Sequence, residues 1–267
     1  MGKDSKIAWC EHSWNPWIGC TKLPREGCRH CYAAAQAKVH GWNNWGDGNP
    51  RRITGADNWD APRKWNKAAS MGGQMPRVFV MSLGDFLEDR PELVEPRKRA
   101  VEVMSRAPFL EWLILTKRID NWEMVDWGAI PNKRLGITVE CQEVADRDVP
   151  KLLATELPNF VSVEPMLEPI QMPTHEEHCS GCVTGGYDQD GPVPDCPGHP
   201  VMDLDWIICG AESRGPYAGR HFDTYWAKML CYQCVEADVP FMFKQGHRDG
   251  RVVHLPELDG RVWDQRP

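Results

Sequence analysis

The sequence lacks a long hydrophobic run, since apolar stretches such as 112–115 and 206–209 are only four residues long. A membrane-spanning helix needs about 20 mostly apolar residues, so we predict no such helix and no membrane partner. The first residues, Met1 to Lys6, do not continue into the apolar segment of a signal peptide. We therefore expect a cytoplasmic protein, whose 11 cysteines would be reduced and available to bind metal.

The sequence also lacks the common nucleotide-binding and hydrolase motifs. It contains no P-loop, no GxGxxG after a predicted strand and no GxSxG, which argues against a nucleoside triphosphatase, a Rossmann oxidoreductase and a serine hydrolase. Positive charge is not in excess either, and the net charge of −7 argues against non-specific binding to duplex DNA. Residues 1–70 alone carry +5, and the first 65 residues hold seven of the 13 tryptophans, which is compatible with a polyanionic or nucleotide substrate.

Short β-rich segments alternate along the chain with amphipathic helical patterns. The predicted strands lie near 14–18 and at 77–82, 111–116, 134–139, 159–163, 205–209 and 239–243. Their continuous apolar pattern is typical of parallel strands that are buried on both faces. About seven strand–helix units predict one α/β domain over residues 1–267, a partial or full (β/α) barrel, with a doubly wound open sheet as the alternative.

Polar side chains follow the ends of nearly all of these strands. A (β/α) barrel collects its active site at the carboxyl ends of its strands, so we expect these side chains to share one rim. They are Asp85, Lys117, Glu140, Glu164, Glu212 and Lys244.

Two segments interrupt the strand–helix repeat. Residues 41–75 are rich in Gly, Asn, Trp and Arg and predict a long loop that covers the rim like a lid. Residues 171–202 contain paired Cys and His residues and almost no core-forming side chains, so this insertion needs a metal to fold. The repeat and its two insertions together form one predicted domain.

Three cysteines stand close together after the first predicted strand, in the spacing Cys20-x7-Cys28-x2-Cys31. Three thiolates in one loop can hold three irons of a [4Fe–4S] cluster and leave the fourth iron open to another ligand. A structural zinc is the alternative, and it would need a fourth ligand such as His30 or His12. The sequence therefore predicts a metal site here.

The insertion at 171–202 contains a second set of metal-ligating residues. These are Cys179, Cys182, Cys196 and His199. Their two chelating pairs predict a structural Zn²⁺ held by three sulfurs and one nitrogen. A second iron–sulfur cluster, or His178 in place of His199, remains an open alternative. Cys231 and Cys234 lie in the middle of a predicted helix, where packing in the core is the expected role.

Seven motifs resemble a divergent, phage-associated family of three-cysteine proteins in the radical S-adenosylmethionine (radical SAM) superfamily. Here the superfamily's usual Cx3Cx2C loop is lengthened to Cx7Cx2C. The resemblance implies a radical SAM type of partial barrel that binds a [4Fe–4S] cluster and S-adenosyl-L-methionine. The matching stretches are 14–21, 27–33, 115–118, 135–140, 162–167, 210–213 and 240–245.

The resemblance also implies roles for individual residues. The open iron would bind the amino and carboxylate groups of S-adenosylmethionine, whose reductive cleavage gives a 5′-deoxyadenosyl radical. Ser82 and Asp85 match the position of the amino-group contact, Lys117 or Arg118 would meet the carboxylate, and Glu140 would meet the ribose. Tyr32, beside the last cysteine of the loop, is a further cofactor-binding candidate. The residues left to face the substrate are Glu164, Glu212 and Lys244.

The function implied by the resemblance is hydrogen abstraction from a modified nucleobase, in DNA or as a nucleotide, followed by rearrangement or cleavage. An isomerase acting on an amino-acid-derived thymine substituent of phage DNA, in the host cytoplasm, is one such enzyme. A thymine-lesion repair lyase is another, with Cys141 as its hydrogen-donating thiol. Either enzyme would need an electron donor such as flavodoxin or ferredoxin. The alternative outside enzymes is a zinc-dependent nucleic-acid-binding protein.

Overall fold

The computed structural model describes residues 5–173, 175–176, 200–213, 219–248 and 251–267. The four predicted zinc ligands of the insertion lie outside these residues. The strands are β1 (His12–Trp14), β2 (Trp17–Ile18), β3 (Arg52–Ile53), β4 (Arg77–Val80), β5 (Glu111–Thr116), β6 (Lys133–Thr138), β7 (Asn159–Val163), β8 (His175–Glu176), β9 (Pro200–Val201), β10 (Ile207–Gly210), β11 (Phe241–Arg248), β12 (Arg251–His254), β13 (Glu257–Leu258) and β14 (Arg261–Val262). The α-helices are α1 (Glu26–Arg29), α2 (Tyr32–Val39), α3 (Ala56–Gly72), α4 (Val94–Ser105), α5 (Gln142–Leu153) and α6 (Thr224–Glu236).

One eight-stranded sheet forms the frame of the molecule. Its strand order is β1-β4-β5-β6-β7-β10-β11-β12, and every neighbouring pair is parallel except β11 and β12, which are antiparallel. A doubly wound sheet would reverse its strand order at a switch point, whereas here each crossover moves one strand further in the same direction. The fold is therefore a partial (β/α) barrel, as predicted, with β1 and β12 as its open edges.

The predicted first strand is divided in the structure. Residues 14–18 were expected to form one strand, but β1 ends at Trp14 and β2 pairs with β3 in a separate two-stranded sheet. Pro16 lies between the two strands, and its missing N–H cannot take part in a sheet ladder. The chain then turns at Gly19, which has a φ of +120° and whose Cβ would lie 2.2 Å from Asn44 O.

The segment 41–75, expected to be a long loop, contains the 17-residue helix α3. Trp59, Pro62 and Ala69 are buried, and Trp65 packs against the same core. These four positions are three or four residues apart, which is the helical period, and their burial against the sheet outweighs the polar composition of the segment. The rest of the segment does lie beside the cysteine loop, since Trp45 forms a β-bridge with Cys20.

The two faces of the sheet pack differently. Alternate residues of the strands face the helices, where they join residues such as Met104 and Leu230 in the main core. The other face forms a smaller core without helix residues, whose members are Trp9, Cys10, Phe79, Leu113, Phe160, Trp206, Ile208 and Met242. Gly136 belongs to this concave face, because a Cβ there would lie 2.3 Å from the Phe160 ring. These side chains form the inner core of the barrel, and a (β/α) barrel builds its site at the carboxyl-end rim above such a core.

No helix among the described residues is both long and apolar enough to cross a membrane.

Candidate functional site

The structure brings Cys20, Cys28 and Cys31 together around one cavity of about 110 Å³. Cys20 follows β2, Cys28 lies in α1, and Cys31 is the residue before α2. The opposite wall is formed by the carboxyl ends of three neighbouring strands, β4 to β6, with Met81, Leu115 and Thr138 among the lining residues. The cavity therefore lies on the rim where a (β/α) barrel builds its site.

The donor set of this cavity does not suit a single zinc ion. The described residues contain no group of three His, Cys, Asp or Glu side chains that could hold one metal ion. His30 is directed to Glu212, with Nδ1 3.3 Å from Oε2, and the ring of His12 stacks on Trp65. Cys20, Cys28 and Cys31 line one cavity, and a cluster in which each thiolate binds a different iron needs its ligands spread around such a space.

Buried polar contacts fix the backbone next to Cys20. Thr21 N donates to Glu88 Oε1 (2.7 Å), and that carboxylate forms an ion pair with Arg51 (2.7 Å) whose two side chains are both almost fully buried. Arg51 also donates to Thr21 Oγ1 (2.7 Å). An ion pair at this depth persists only when its remaining hydrogen-bonding groups are satisfied, as they are here by Thr21. We call Arg51 and Glu88 the Cys20 clamp.

Arg118 places a positive charge beside the first cysteine. Its Nη1 is 3.5 Å from Cys20 Sγ and 3.0 Å from Asp85 Oδ2, and its Nη2 donates to Thr21 O. Burial raises the pKa of the Cys20 thiol to about 12, with Asp85 adding to the increase and Arg118 opposing it. The guanidinium is thus placed to stabilise a thiolate once a metal replaces the proton.

Ser82 and Asp85, predicted to bind an amino group, both line the cavity but are already bonded within the protein. The Asp85 carboxylate accepts from the Thr116 hydroxyl (2.7 Å), from two backbone N–H groups and from Arg118. Ser82 Oγ accepts from Asn15 Nδ2 (2.9 Å), and its backbone oxygen accepts from the Tyr32 hydroxyl. Asp85 is therefore a structural anchor of the rim in this arrangement.

Lys117 differs from its neighbour Arg118. Its Nζ donates to Thr138 Oγ1 (3.2 Å), and none of the described carboxylates forms an ion pair with it. Lys117 also lines the cysteine cavity and is partly buried. From the sequence, Lys117 and Arg118 are equal candidates for a carboxylate contact. In the structure Arg118 is paired with Asp85, whereas Lys117 has no carboxylate partner among the described residues.

Glu140, predicted to meet the ribose of the cofactor, lies behind the loop instead of in the cysteine cavity. It has no exposed surface, and it forms a bidentate ion pair with Arg25 at 2.7 and 2.5 Å. Its Oε1 also accepts from Gly27 N (2.9 Å). Burial would raise the pKa of Glu140, but the bonds from Arg25 outweigh it and lower the pKa. We call Arg25 and Glu140 the Cys28 clamp.

The three residues predicted to face the substrate lie on the other strand ends. Lys244 Nζ and Glu164 Oε2 are 2.5 Å apart, and they meet across Gly210, where a Cβ would lie 3.0 Å from Glu164 Oε2. Glu212 forms an ion pair with Arg220 (2.6 Å), whose bonds lower the pKa of Glu212 although burial opposes this. Each of these charges has a partner of opposite sign.

Cys141, the candidate hydrogen donor, lines a second cavity of about 410 Å³ and not the cysteine cavity. Cys28 lines both cavities, so the two spaces are separated at this point by the cysteine loop. Cys141 is the residue before α5, and burial raises the pKa of its thiol. Cys231 and Cys234 are buried in α6, where packing was expected.

Several residues of the site were not singled out from the sequence. Arg25 stands just before the Gly27-Cys28 motif, and Arg51 lies in a segment that was interpreted as a loop. Asn15 was quoted only as part of a motif, although its side chain fixes the turn at 82–84 by accepting from Leu83 N (2.7 Å). Arg25 and Arg51 are buried charges, and their burial can be recognised only when the fold brings distant segments of the chain together.

The fold and the site define the class of protein. It is a partial (β/α) barrel with three cysteines around a cavity at the carboxyl ends of its strands. The chain belongs to the family described as protein of unknown function (DUF5131), which matches residues 4–267. No curated protein matches the sequence.

Among solved structures the chain is similar to spore photoproduct lyase. A variant of that enzyme with bound AdoMet and dinucleoside spore photoproduct is 13% identical, with a TM-score of 0.48, and the match covers 94% of this chain and 70% of that chain. A complex with dinucleoside spore photoproduct is 12% identical, with a TM-score of 0.47 and the same coverage. A further variant is 14% identical, with a TM-score of 0.43, over 61% of this chain and 47% of that chain.

Proposed function

We propose that this protein is a radical SAM enzyme. One observation supports the proposal above all others: Cys20, Cys28 and Cys31 line one cavity at the carboxyl ends of the strands of a partial (β/α) barrel. Three cysteine thiolates that line one cavity fit a [4Fe–4S] cluster that keeps one iron open. S-adenosyl-L-methionine would bind at that iron and, after one-electron reduction, supply a radical that abstracts hydrogen from the substrate.

The residues around the cavity have distinct roles in this proposal. Arg118 offsets negative charge at Cys20, and Lys117 offers the methionine carboxylate an ammonium that no described carboxylate occupies. Asp85 holds the backbone of Lys117 by accepting from its N–H (3.0 Å). Phe79, a member of the smaller core, contributes an apolar wall to the cavity.

The proposed substrate is a modified nucleobase, in DNA or as a nucleotide. Glu164, Glu212 and Lys244 on the remaining strand ends would face it. Two reactions are compatible with this assignment: isomerisation of an amino-acid-derived thymine substituent in phage DNA, and cleavage of a thymine lesion. For the second reaction Cys141, in the neighbouring cavity behind the cysteine loop, is the hydrogen donor to test. The likeness of the chain to a lyase that binds a dinucleoside lesion makes lesion-containing dinucleosides the first substrates to assay. Flavodoxin or ferredoxin remains the proposed electron donor.

The test is a metal analysis and a cleavage assay on one anaerobic preparation. We expect about four irons and four sulfides per chain after reconstitution, and 5′-deoxyadenosine formed from S-adenosylmethionine only when a reductant is present. One further zinc per chain would support the proposed site at Cys179, Cys182, Cys196 and His199. Iron retention without any cleavage would contradict the proposed reaction.

A zinc-dependent nucleic-acid-binding protein is the proposal's rival. It predicts zinc as the only bound metal, a colourless protein, and DNA affinity that falls steeply with salt. Failure to bind iron after reconstitution, together with such binding, would replace the enzyme by this function.

A further inference from the structure

We propose that Arg25 and Glu140, the Cys28 clamp, are positioning residues that hold Cys28 at the place where it binds iron. This inference rests on the proposed function. The carboxylate at the end of β6 was expected to contact a ligand in the cavity. In the structure it has no exposed surface and is bonded to the cysteine loop from behind.

Arg25 links the cysteine loop to the end of β6 and to α5, and all three nitrogens of its guanidinium make contacts. Besides Glu140, it donates to the backbone oxygen of Thr138 (2.7 Å), the last residue of β6, and lies 3.4 Å from Asp148 Oδ2 in α5. Arg25 O in turn accepts from Cys28 N (3.0 Å). A planar guanidinium fixes orientation as well as distance, so Cys28 is attached to the rigid end of β6 through one side chain.

Gly27 provides a second connection, one residue from the cysteine. Its N–H donates to Glu140 Oε1, and a Cβ at this position would lie 3.0 Å from Glu140 Cδ and Oε1. Real Cβ atoms are essentially not found closer than that to another heavy atom. The absence of a side chain at Gly27 therefore lets the carboxylate reach the backbone that presents Cys28.

The Cys28 clamp repeats the arrangement at Cys20. There the buried pair Arg51–Glu88 holds Thr21 N, and here the buried pair Arg25–Glu140 holds Gly27 N. In each case the carboxylate accepts the N–H of a residue next to a cysteine. Loops of this length keep their ligands apart at fixed distances only when their backbone is anchored, and two buried ion pairs provide that anchorage.

The first test measures how accessible Cys28 is in the metal-free protein. Iodoacetamide labelling of folded protein, followed by peptide mass mapping, is compared for wild type, Glu140→Gln and Glu143→Gln. Glu143 is an exposed glutamate on α5, so it controls for the charge change. We expect Glu140→Gln to label Cys28 about tenfold faster, because a weakened buried hydrogen bond lets the loop open more often. Fully buried Cys209 should label no faster, which excludes global unfolding.

The second test asks whether the loop position matters for the metal. After anaerobic reconstitution, Glu140→Gln should bind less iron than wild type and Glu143→Gln the same amount. The electron paramagnetic resonance spectrum of the reduced cluster should change in the first variant alone. A residue with a purely structural role would lower the yield of folded protein without changing this spectrum.

The third test keeps every charge in place and guards against poor folding of the glutamine variant. Gly27→Ala adds one methyl group against Glu140, although Ala is the better helix former and Gly27 lies in α1. We expect faster labelling of Cys28 and weaker iron binding in Gly27→Ala. Helix propensity alone would predict the reverse, since alanine stabilises a helix relative to glycine.

Three results would overturn the proposal. The first is unchanged labelling of Cys28 in both Glu140→Gln and Gly27→Ala. The second is faster labelling in both variants with wild-type iron content and an unaltered spectrum. The third is failure of the wild-type protein to bind iron, which would also refute the proposed function. Because labelling is measured on metal-free protein, it separates an error about the clamp from an error about the cluster.

Discussion

The two sides of the barrel rim differ in whether their lysine side chains are paired with a carboxylate. On the cysteine side, at the ends of β4 to β6, the ammonium of Lys117 has no described carboxylate partner beside the cavity. On the far side, at the ends of β7, β10 and β11, Lys244 is paired with Glu164 and Glu212 with Arg220. Both sides combine acidic and basic residues, so composition does not distinguish them.

The difference shows where an anionic group of a ligand is to be expected. A partly buried cation without a carboxylate partner is costly unless a ligand supplies the negative charge. A paired cation, in contrast, must give up its partner before it can bind an anion. Under the proposed function we therefore expect a ligand carboxylate to bind on the cysteine side. On the far side, we expect a substrate to bind mainly through charged groups that first leave their existing ion pairs.

The largest expected effect comes from the cysteines themselves. Cys28→Ala should abolish iron binding and leave the fold intact, because the side chain belongs to the loop and not to the core of the sheet. Iron per chain and far-ultraviolet circular dichroism are the measurements. Cys231→Ala in α6 is the matched control and should keep its iron. In the insertion, Cys182→Ala should instead destabilise or aggregate the protein. Exchanged phenotypes would reverse the assignment of the two metal sites.

Substitution of the two lysines tests the comparison directly. Lys117→Met should raise the KM for S-adenosylmethionine about tenfold, since a charge-assisted hydrogen bond is worth roughly 1.5–3 kcal/mol. It should not lower the free energy of unfolding, because it removes a partly buried cation that has no described carboxylate partner. Lys244→Met should leave that KM unchanged. It should lower the free energy of unfolding by about 1–2 kcal/mol, because Glu164 stays partly buried without its partner. Urea unfolding and steady-state kinetics measure the two quantities, and equal behaviour of the variants would remove the distinction.

A smaller effect is expected at Gly210, the residue that lets the far-side pair form. Gly210→Ala would place a Cβ 3.0 Å from Glu164 Oε2 and 3.2 Å from Gln245 Cγ, so we expect a loss of about 1 kcal/mol in the free energy of unfolding. Iron content should not change. Gly72→Ala, where a Cβ meets nothing within 4 Å, is the control. A Gly210→Ala protein as stable as wild type would show that the pair tolerates separation.

The smallest effect concerns acid stability. The pKa of Glu140 is lowered in the folded protein, so the unfolded chain takes up the proton first as the pH falls. The stabilisation by Glu140 is complete above the unfolded value of about 4.3 and is lost as the pH falls through the folded pKa. The stability difference between wild type and Glu140→Gln should therefore shrink as the pH falls below about 5. Urea unfolding at several pH values measures it, and a constant difference would contradict the assigned charge.

Much of the frame could be predicted from local sequence. The apolar segments at 111–116 and 159–163 are strands with those bounds, because strands buried on both faces need continuous apolar residues. Helix α3 was missed because its buried residues are tryptophan, proline and alanine among polar neighbours. The predicted first strand is divided at Pro16 and followed by the turn at Gly19. The sequence did not show this division because it depends on tertiary pairing, in which β1 pairs with β4 and β2 with β3.

The roles of the rim residues could be predicted only in part. Their position after the strands was visible in the sequence, and so was the three-cysteine loop. Whether a given charge is free or bonded was not visible, as Glu140 shows. It has the position of a ligand contact, yet its partner Arg25 is 115 residues away in the chain.

The sequence by itself determined the strand–helix order and the spacing of Cys20, Cys28 and Cys31, because both depend on neighbouring residues. Tertiary structure decided which charges neutralise one another, because ion pairs form between side chains that only the folded sheet and its loops bring within about 4 Å. It thereby separated Lys117 from Arg118, two adjacent cations that the sequence could not rank. The loop of three cysteines is a local feature, and the buried pairs that hold it are a property of the whole fold.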